Sequence, residues 1–89
     1  VDIEFDALKN DWNIRECGLS FAQAAEFDFE TAKIVQDTRK DYGEIRYQAL
    51  GLVTGRVHVL VFTETMSGIR VISFRKANPR EVREYERQA

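Results

Sequence analysis

Cysteine, proline, histidine, methionine and tryptophan occur once each in the 89 residues, and glycine only five times. With Cys17 as the sole thiol an intramolecular disulfide is excluded, which fits a reducing compartment. A single histidine, a single cysteine and carboxylates without ligand spacing make no metal motif, so neither a metal nor another cofactor is expected. No glycine-rich loop leads into a helix, which argues against a nucleotide cradle; Ser73 and His58 lack an orienting acid, which argues against a hydrolytic triad. No apolar run approaches the roughly 20 residues that cross a bilayer. The opening Val1-Asp2-Ile3-Glu4 is acidic where a signal peptide is basic, so a cytoplasmic protein without a membrane partner is expected. Scarce proline and glycine, with 44% hydrophobic and 31% charged residues, argue against disorder.

What is present is enough for one small core, so residues 1–89 are expected to form a single domain. The net charge of -2 hides a split: residues 1–44 hold five Lys/Arg against eleven Asp/Glu, whereas residues 45–89 hold eight against four. One part repels polyanions and the other attracts them, a pattern suited to a nucleic acid on one face and a basic protein on the other.

Residues 3–5 alternate as a short strand. Asp6 is placed to cap a helix reaching Cys17, with Leu8 and Trp12 on one stripe and Gly18 as its stop. Ser20 and Gln23 have capping-box spacing, which predicts a second helix. Strand-like runs follow at 33–38, 44–53, 56–64 and 69–76, separated by turns around Gly43, Gly55 and Gly68. Asn78, Pro79 and Glu81 then read as cap, first helical residue and capping-box acceptor of a last helix, with Val82, Tyr85 and Ala89 along one stripe. The order is βααββββα. It predicts an α+β fold in which two N-terminal helices cover one face of an antiparallel meander.

A two-residue turn at Thr54-Gly55 sets Gln48 opposite Val61 and Arg46 opposite Thr63, and the next connection sets Glu64 opposite Ile69 and Arg70 beside Thr63. Strict alternation then gives a core face of Leu50, Leu52, Val57, Val59, Val61, Ile72 and Phe74, ending in Arg46, Thr63 and Arg70. The opposite face carries Tyr47, Ala49, Leu60, Phe62 and Val71, then Ser73, Gly51, His58 and Arg75, and is expected to be open to a ligand. Arg70, Arg75 and Lys76 flank a buried run, so their cationic heads are held, as phosphate chemistry requires. Each candidate also has a plainer role: Arg46 and Arg70 as ion-pair partners of Glu44 or Glu64, His58 as a tolerated strand residue, Tyr85 as helix packing. Phe27 and Phe29 are read as exposed, and as a hint of a contact surface.

These residues resemble the BrnT toxins, the ribonuclease component of BrnT/BrnA toxin–antitoxin pairs. The likeness rests on Phe5-Asp6, Lys9 and Asn13, residues 18–21 and Ala24, residues 41–44, Arg46-Tyr47 and Gly51, residues 62–64, residues 70–73, residues 75–77, Glu81 and Tyr85. The chain departs from that pattern at Glu16-Cys17, where the family usually has Lys-His, and at Thr65, where it usually has arginine.

The resemblance implies a RelE-like fold, metal-independent cleavage of RNA that stops translation and growth, neutralisation by a BrnA-like antitoxin, and contact with DNA only through that antitoxin. An internal 2′-hydroxyl can attack the phosphate, leaving the protein to move protons and offset charge. Arg70 and Arg75 are therefore expected to stabilise the phosphorane with help from Arg46, and Glu64 or Tyr85 to manage protons. Lys76, Ser73 and His58 are expected to bind substrate, as is Lys9 unless it belongs to the partner interface. The competing reading is an RNA- or protein-binding module of the same fold without catalysis.

Overall fold

The computed structural model describes residues 2–87, which leaves Val1, Gln88 and the predicted stripe position Ala89 outside it. The chain runs β1 (Asp2–Glu4), α1 (Ala7–Cys17), a 3-10 helix (Phe21–Glu26), β2 (Lys33–Gln36), β3 (Tyr47–Val53), β4 (Arg56–Glu64), β5 (Gly68–Lys76) and α2 (Pro79–Arg87). One sheet in the order β1-β5-β4-β3-β2 results. β2 to β5 are the expected antiparallel meander, but β1 adds in parallel to β5, with Ile3 opposite Ile69, so the sheet is mixed.

The predicted caps form. Asp6 accepts from the amides of Leu8 and Lys9 at 2.9 and 3.1 Å, and Gly18, at φ 70°, ends α1 by donating to the Ile14 carbonyl. Asn78 and Glu81 exchange side-chain-to-amide hydrogen bonds at the start of α2. The turn at Thr54-Gly55 has φ of 51° and 78°, positive at both central positions as a tight hairpin needs.

The second helix is a correction. Ser20 and Gln23 make their capping box, yet the segment winds as a 3-10 helix, leaving one α-helix ahead of the meander instead of two. Phe21, Ala24 and Phe27 are all buried, and a repeat of three residues per turn aligns them on the sheet where 3.6 would fan them apart. The stripe on α1 is corrected too: Leu8 and Trp12 are 79% and 55% exposed. α1 is pinned by polar contacts instead, Asn13 donating to the carbonyls of Leu19 and Phe74 at 3.0 and 2.8 Å and Asn10 accepting from the Phe21 amide.

The hairpin register of β3 and β4 is as predicted, including Gln48 opposite Val61, and so are Thr63 opposite Arg70 and Glu64 opposite Ile69. Beyond them the alternation breaks. Phe62 faces Val71 but Val61 faces Ser73, so Ile72 is the extra residue of a β-bulge. Phe74 thereby joins the face of Leu60, and Ser73 and Arg75 cross to the face of Val61 and Val59.

The face read as open is the principal core. Ala49, Leu60, Phe62, Val71 and Phe74 pack there beneath Leu19, Phe21, Ala24 and Phe27. Phe27 is buried and Phe29 stacks edge-on against Phe27 and Phe62, so the predicted exposed aromatics belong inside. Full burial of a phenylalanine such as Phe21 or Phe74 contributes about 1.5–3 kcal/mol, so this aromatic layer dominates stability. The second face, with Leu50, Val57, Val59 and Val61 buried, lies under α2: Lys33 and Arg75, in one row with Leu50 and Val59, form ion pairs with Glu84 and Glu81 of that helix.

Gly51 allows the close approach of Phe27, because a Cβ there would lie 2.5 Å from the ring. Gly51→Ala is expected to destabilise the fold by about 1–3 kcal/mol in urea denaturation, and adding Phe27→Leu to recover part of that loss.

Candidate functional site

The bulge at Ile72 decides which cations share a face. Five positions apart on a regular strand, Arg70 and Arg75 would point to opposite sides; with Ile72 inserted, Arg70, Ser73 and Arg75 line one face. Arg46, immediately before Tyr47 of β3, meets Arg70 through a shared carboxylate at the end of that face.

Glu44 lies between these two arginines. Its Oε2 accepts from Arg46 Nε at 2.9 Å and its Oε1 from Arg70 Nη2 at 2.7 Å. Among the described residues neither the terminal nitrogens of Arg46 nor Nε and Nη1 of Arg70 have a protein partner.

Several contacts hold Arg46 in place. The Tyr42 ring packs 4.3 Å from its guanidinium carbon, its carbonyl accepts from the Asp37 amide, and the neighbouring Ile45 carbonyl accepts from Thr63 Oγ1 at 2.8 Å. Tyr42 is itself tied to buried Asp37, which also takes a two-pronged ion pair from Arg39. A loop held this way loses little freedom when a ligand arrives.

Two hollows adjoin on β5. One, of about 220 Å³, is lined by Asp6, Lys9, Glu44, Arg46, Arg70, Val71 and Ile72. The other, of about 180 Å³ and mostly apolar, is lined by Lys9, Trp12, Asn13, Phe21, Ile72 and Ser73. Lys9 and Ile72 belong to both. A larger hollow, about 590 Å³ along residues 36–45, has Asp37, Asp41 and Glu44 in its wall against Lys40, which suits a polyanion poorly.

The other predicted residues are dispersed. Arg75 gives both terminal nitrogens to Glu81 at 2.8 and 2.9 Å, a fork that fixes α2. Lys76 is exposed on the opposite face, in the row of His58. His58 is 3% exposed, with Nδ1 2.8 Å from the Arg56 carbonyl and its ring beside Phe74, so it belongs to the core. Glu64 lines a groove with Ile34, Tyr47 and Phe62, on the face turned away from Arg70. The Tyr85 hydroxyl meets Thr31 Oγ1 at 3.2 Å, at the end of the sheet away from Arg46. Sequence reasoning treated Glu44 only as an ion-pair partner and Tyr42 only as part of a turn. The signal for Glu44 was its spacing of two from Arg46, which aims both side chains one way on extended backbone.

The family model described as "Ribonuclease toxin, BrnT, of type II toxin-antitoxin system" matches residues 5–81 of the 89. No curated protein and no solved structure matches the chain. Among the described residues no helix is long and apolar enough to cross a membrane, and no group of three or more His, Cys, Asp or Glu side chains could hold a metal ion.

Glu44, Asp37 and Glu81 titrate low. The hydrogen bond from Arg46, then the charge of Arg70, lowers Glu44 against an opposing desolvation; the Arg39 hydrogen bond holds Asp37 well below the usual range; the Arg75 fork lowers Glu81. A carboxylate whose pKa is lower folded than unfolded stabilises fully above its unfolded pKa, about 4, and that contribution is lost as pH falls through the folded value. The urea midpoint is therefore expected to drop on acidification below about pH 4, and Asp37→Asn to lower it at neutral pH and flatten its acid dependence. An acid slope unchanged in Asp37→Asn would show that another group governs it.

Proposed function

The chain belongs to the BrnT family of ribonuclease toxins of type II toxin–antitoxin systems, with RNA as substrate and an antitoxin as partner, and from that premise we propose that Arg46 and Arg70 bind the phosphodiester that is cut. The observation that carries this reading is a carboxylate shared by two arginines at 2.7 and 2.9 Å, an anion position with Lys9 on its rim.

A phosphodiester carries one negative charge, and attack by the neighbouring 2′-oxygen adds more as the phosphorane forms. Three cations converge on that position, offset by Glu44 and by Asp6, whose Oδ1 is committed to capping α1. Preorganised guanidinium groups in a partly dry hollow supply charge stabilisation without a metal ion, so cleavage is metal-independent in this reading. Lys9 holds the cut or the adjacent phosphate, and Ser73 lines the neighbouring hollow where a nucleotide would continue. Arg75 has a structural task through Glu81, and His58, Glu64 and Tyr85 take no direct part.

The finer biology follows from the resemblance. Cleavage of cellular RNA in the cytoplasm inhibits translation and growth; a BrnA-like antitoxin neutralises the toxin and contacts DNA on behalf of the pair. A second reading, a non-catalytic RNA- or protein-binding module, is favoured by Cys17 and Thr65 standing where the family usually carries histidine and arginine.

End-labelled RNA incubated with the purified protein and EDTA separates the two. Cleavage leaving 2′,3′-cyclic phosphate and 5′-hydroxyl ends is expected, with Arg46→Ala or Arg70→Ala slower by about 10²–10³-fold. Circular dichroism of these variants should stay native, because exposed ion pairs contribute about 0–1 kcal/mol. RNA retained but uncut would establish the binding module.

A further inference from the structure

Resting on the ribonuclease reading above, we propose that Glu44 is the general base of the cleavage: the carboxylate held between Arg46 and Arg70 takes the proton of the attacking 2′-hydroxyl. Such a base must lie within hydrogen-bond reach of the hydroxyl while the phosphate lies on the charge-stabilising donors. Among the described residues Glu44 is the carboxylate that touches both arginines. Neither proton-transfer candidate suggested by the sequence meets that condition, since Glu64 opens onto the other face and Tyr85 lies at the far end of the sheet.

Each oxygen of Glu44 accepts one arginine N–H, and an ionised carboxylate has about four acceptor sites, so capacity remains for the hydroxyl. The Glu44 side chain is 27% exposed and that of Arg46 23%, enough to reach a ligand yet shielded from bulk water. Arg46 binds through Nε alone, which leaves its terminal nitrogens for a phosphate oxygen while the base stays oriented.

In the step, the Glu44 carboxylate removes the 2′-hydroxyl proton as the 2′-oxygen bonds to phosphorus. The bond from phosphorus to the 5′-oxygen breaks, that oxygen takes a proton from water, and Glu44 returns its proton to solvent. Net, one proton passes from the 2′-oxygen to the 5′-oxygen, and no oxidant, metal or other reactant is consumed. The charged and titratable groups around Glu44 are Arg46 beside it, Arg70 on β5, Asp6 and Lys9 at the start of α1, Tyr42 across Arg46, and Asp37, Lys40 and Asp41 along the hollow of residues 36–45 that Glu44 also lines. The two that touch it are cations, which keep the base ionised at neutral pH and restrict an acid limb of the rate to low pH.

The test compares wild type, Glu44→Gln and Glu44→Asp in single-turnover cleavage of labelled RNA from about pH 3 to 8 with EDTA, and measures binding of 2′-O-methyl RNA by each. Glu44→Gln keeps the size of the side chain and an acceptor for one of the two arginines, turns an amide N–H toward the other, and is not a base. Its cleavage is expected to fall about 10²–10⁴-fold and lose the acid limb, while binding is retained or tightened as a negative charge leaves the hollow. Glu44→Asp, still ionisable, should keep the limb at a reduced rate. Glu44→Gln cleaving within a few-fold of wild type, or keeping the acid limb, overturns the proposal while the ribonuclease reading stands. Wild type that binds RNA without cutting it overturns both.

Discussion

The pairing of β4 with β5 is the constraint on which the rest depends. Its extra residue, Ile72, lets Phe74 enter the aromatic core while Arg70, Ser73 and Arg75 share the other face. A regular pairing would force a choice between Arg70 and Arg75 on that face, and so between Val71 and Phe74 in the core, because side chains alternate strictly with period two. The bulge satisfies both the packing of the hydrophobic layer and the placement of the cations.

The second face divides its charges between two tasks. At one end Lys33 and Arg75 hold α2 through Glu84 and Glu81, and at the other Arg46 and Arg70 hold only Glu44. Ion pairs of this exposure contribute little to stability, and the buried aromatic layer contributes far more. The support of Arg46 from Tyr42, Asp37 and Thr63 also fixes the loop that leads into β3. In the proposed reading it also preorganises the arginine for a charged ligand, because donors already in place need not reorganise when charge develops.

Much of this was legible before the structure. Asp6, Gly18, Ser20 with Gln23, and Asn78 with Glu81 each form the cap their spacing predicts, and Thr54-Gly55 sets the hairpin register. What failed was nonlocal. The stripe of Leu8 and Trp12 suggested a buried helix face, yet Asn10 and Asn13 make the inward contacts, and the apolar face of the hairpin taken as the core proved to be the one under α2. In the candidate site, Arg70 was correctly set beside Thr63 and meets Arg46 through Glu44, whereas Arg75, His58, Glu64 and Tyr85 were gathered from places the fold keeps apart.

The amino-acid sequence alone determined the helix caps, the hairpin register, the charge asymmetry and the likeness to a ribonuclease toxin, because caps, turns and periodicity act over a few residues. Only the tertiary structure decided the bulge, the 3-10 winding, the parallel docking of β1 and the pairing of Glu44 with two arginines. Each of these depends on how surfaces distant in the chain fill shared space. The choice between two apolar faces of one sheet is made by what packs on them, not by the strands themselves.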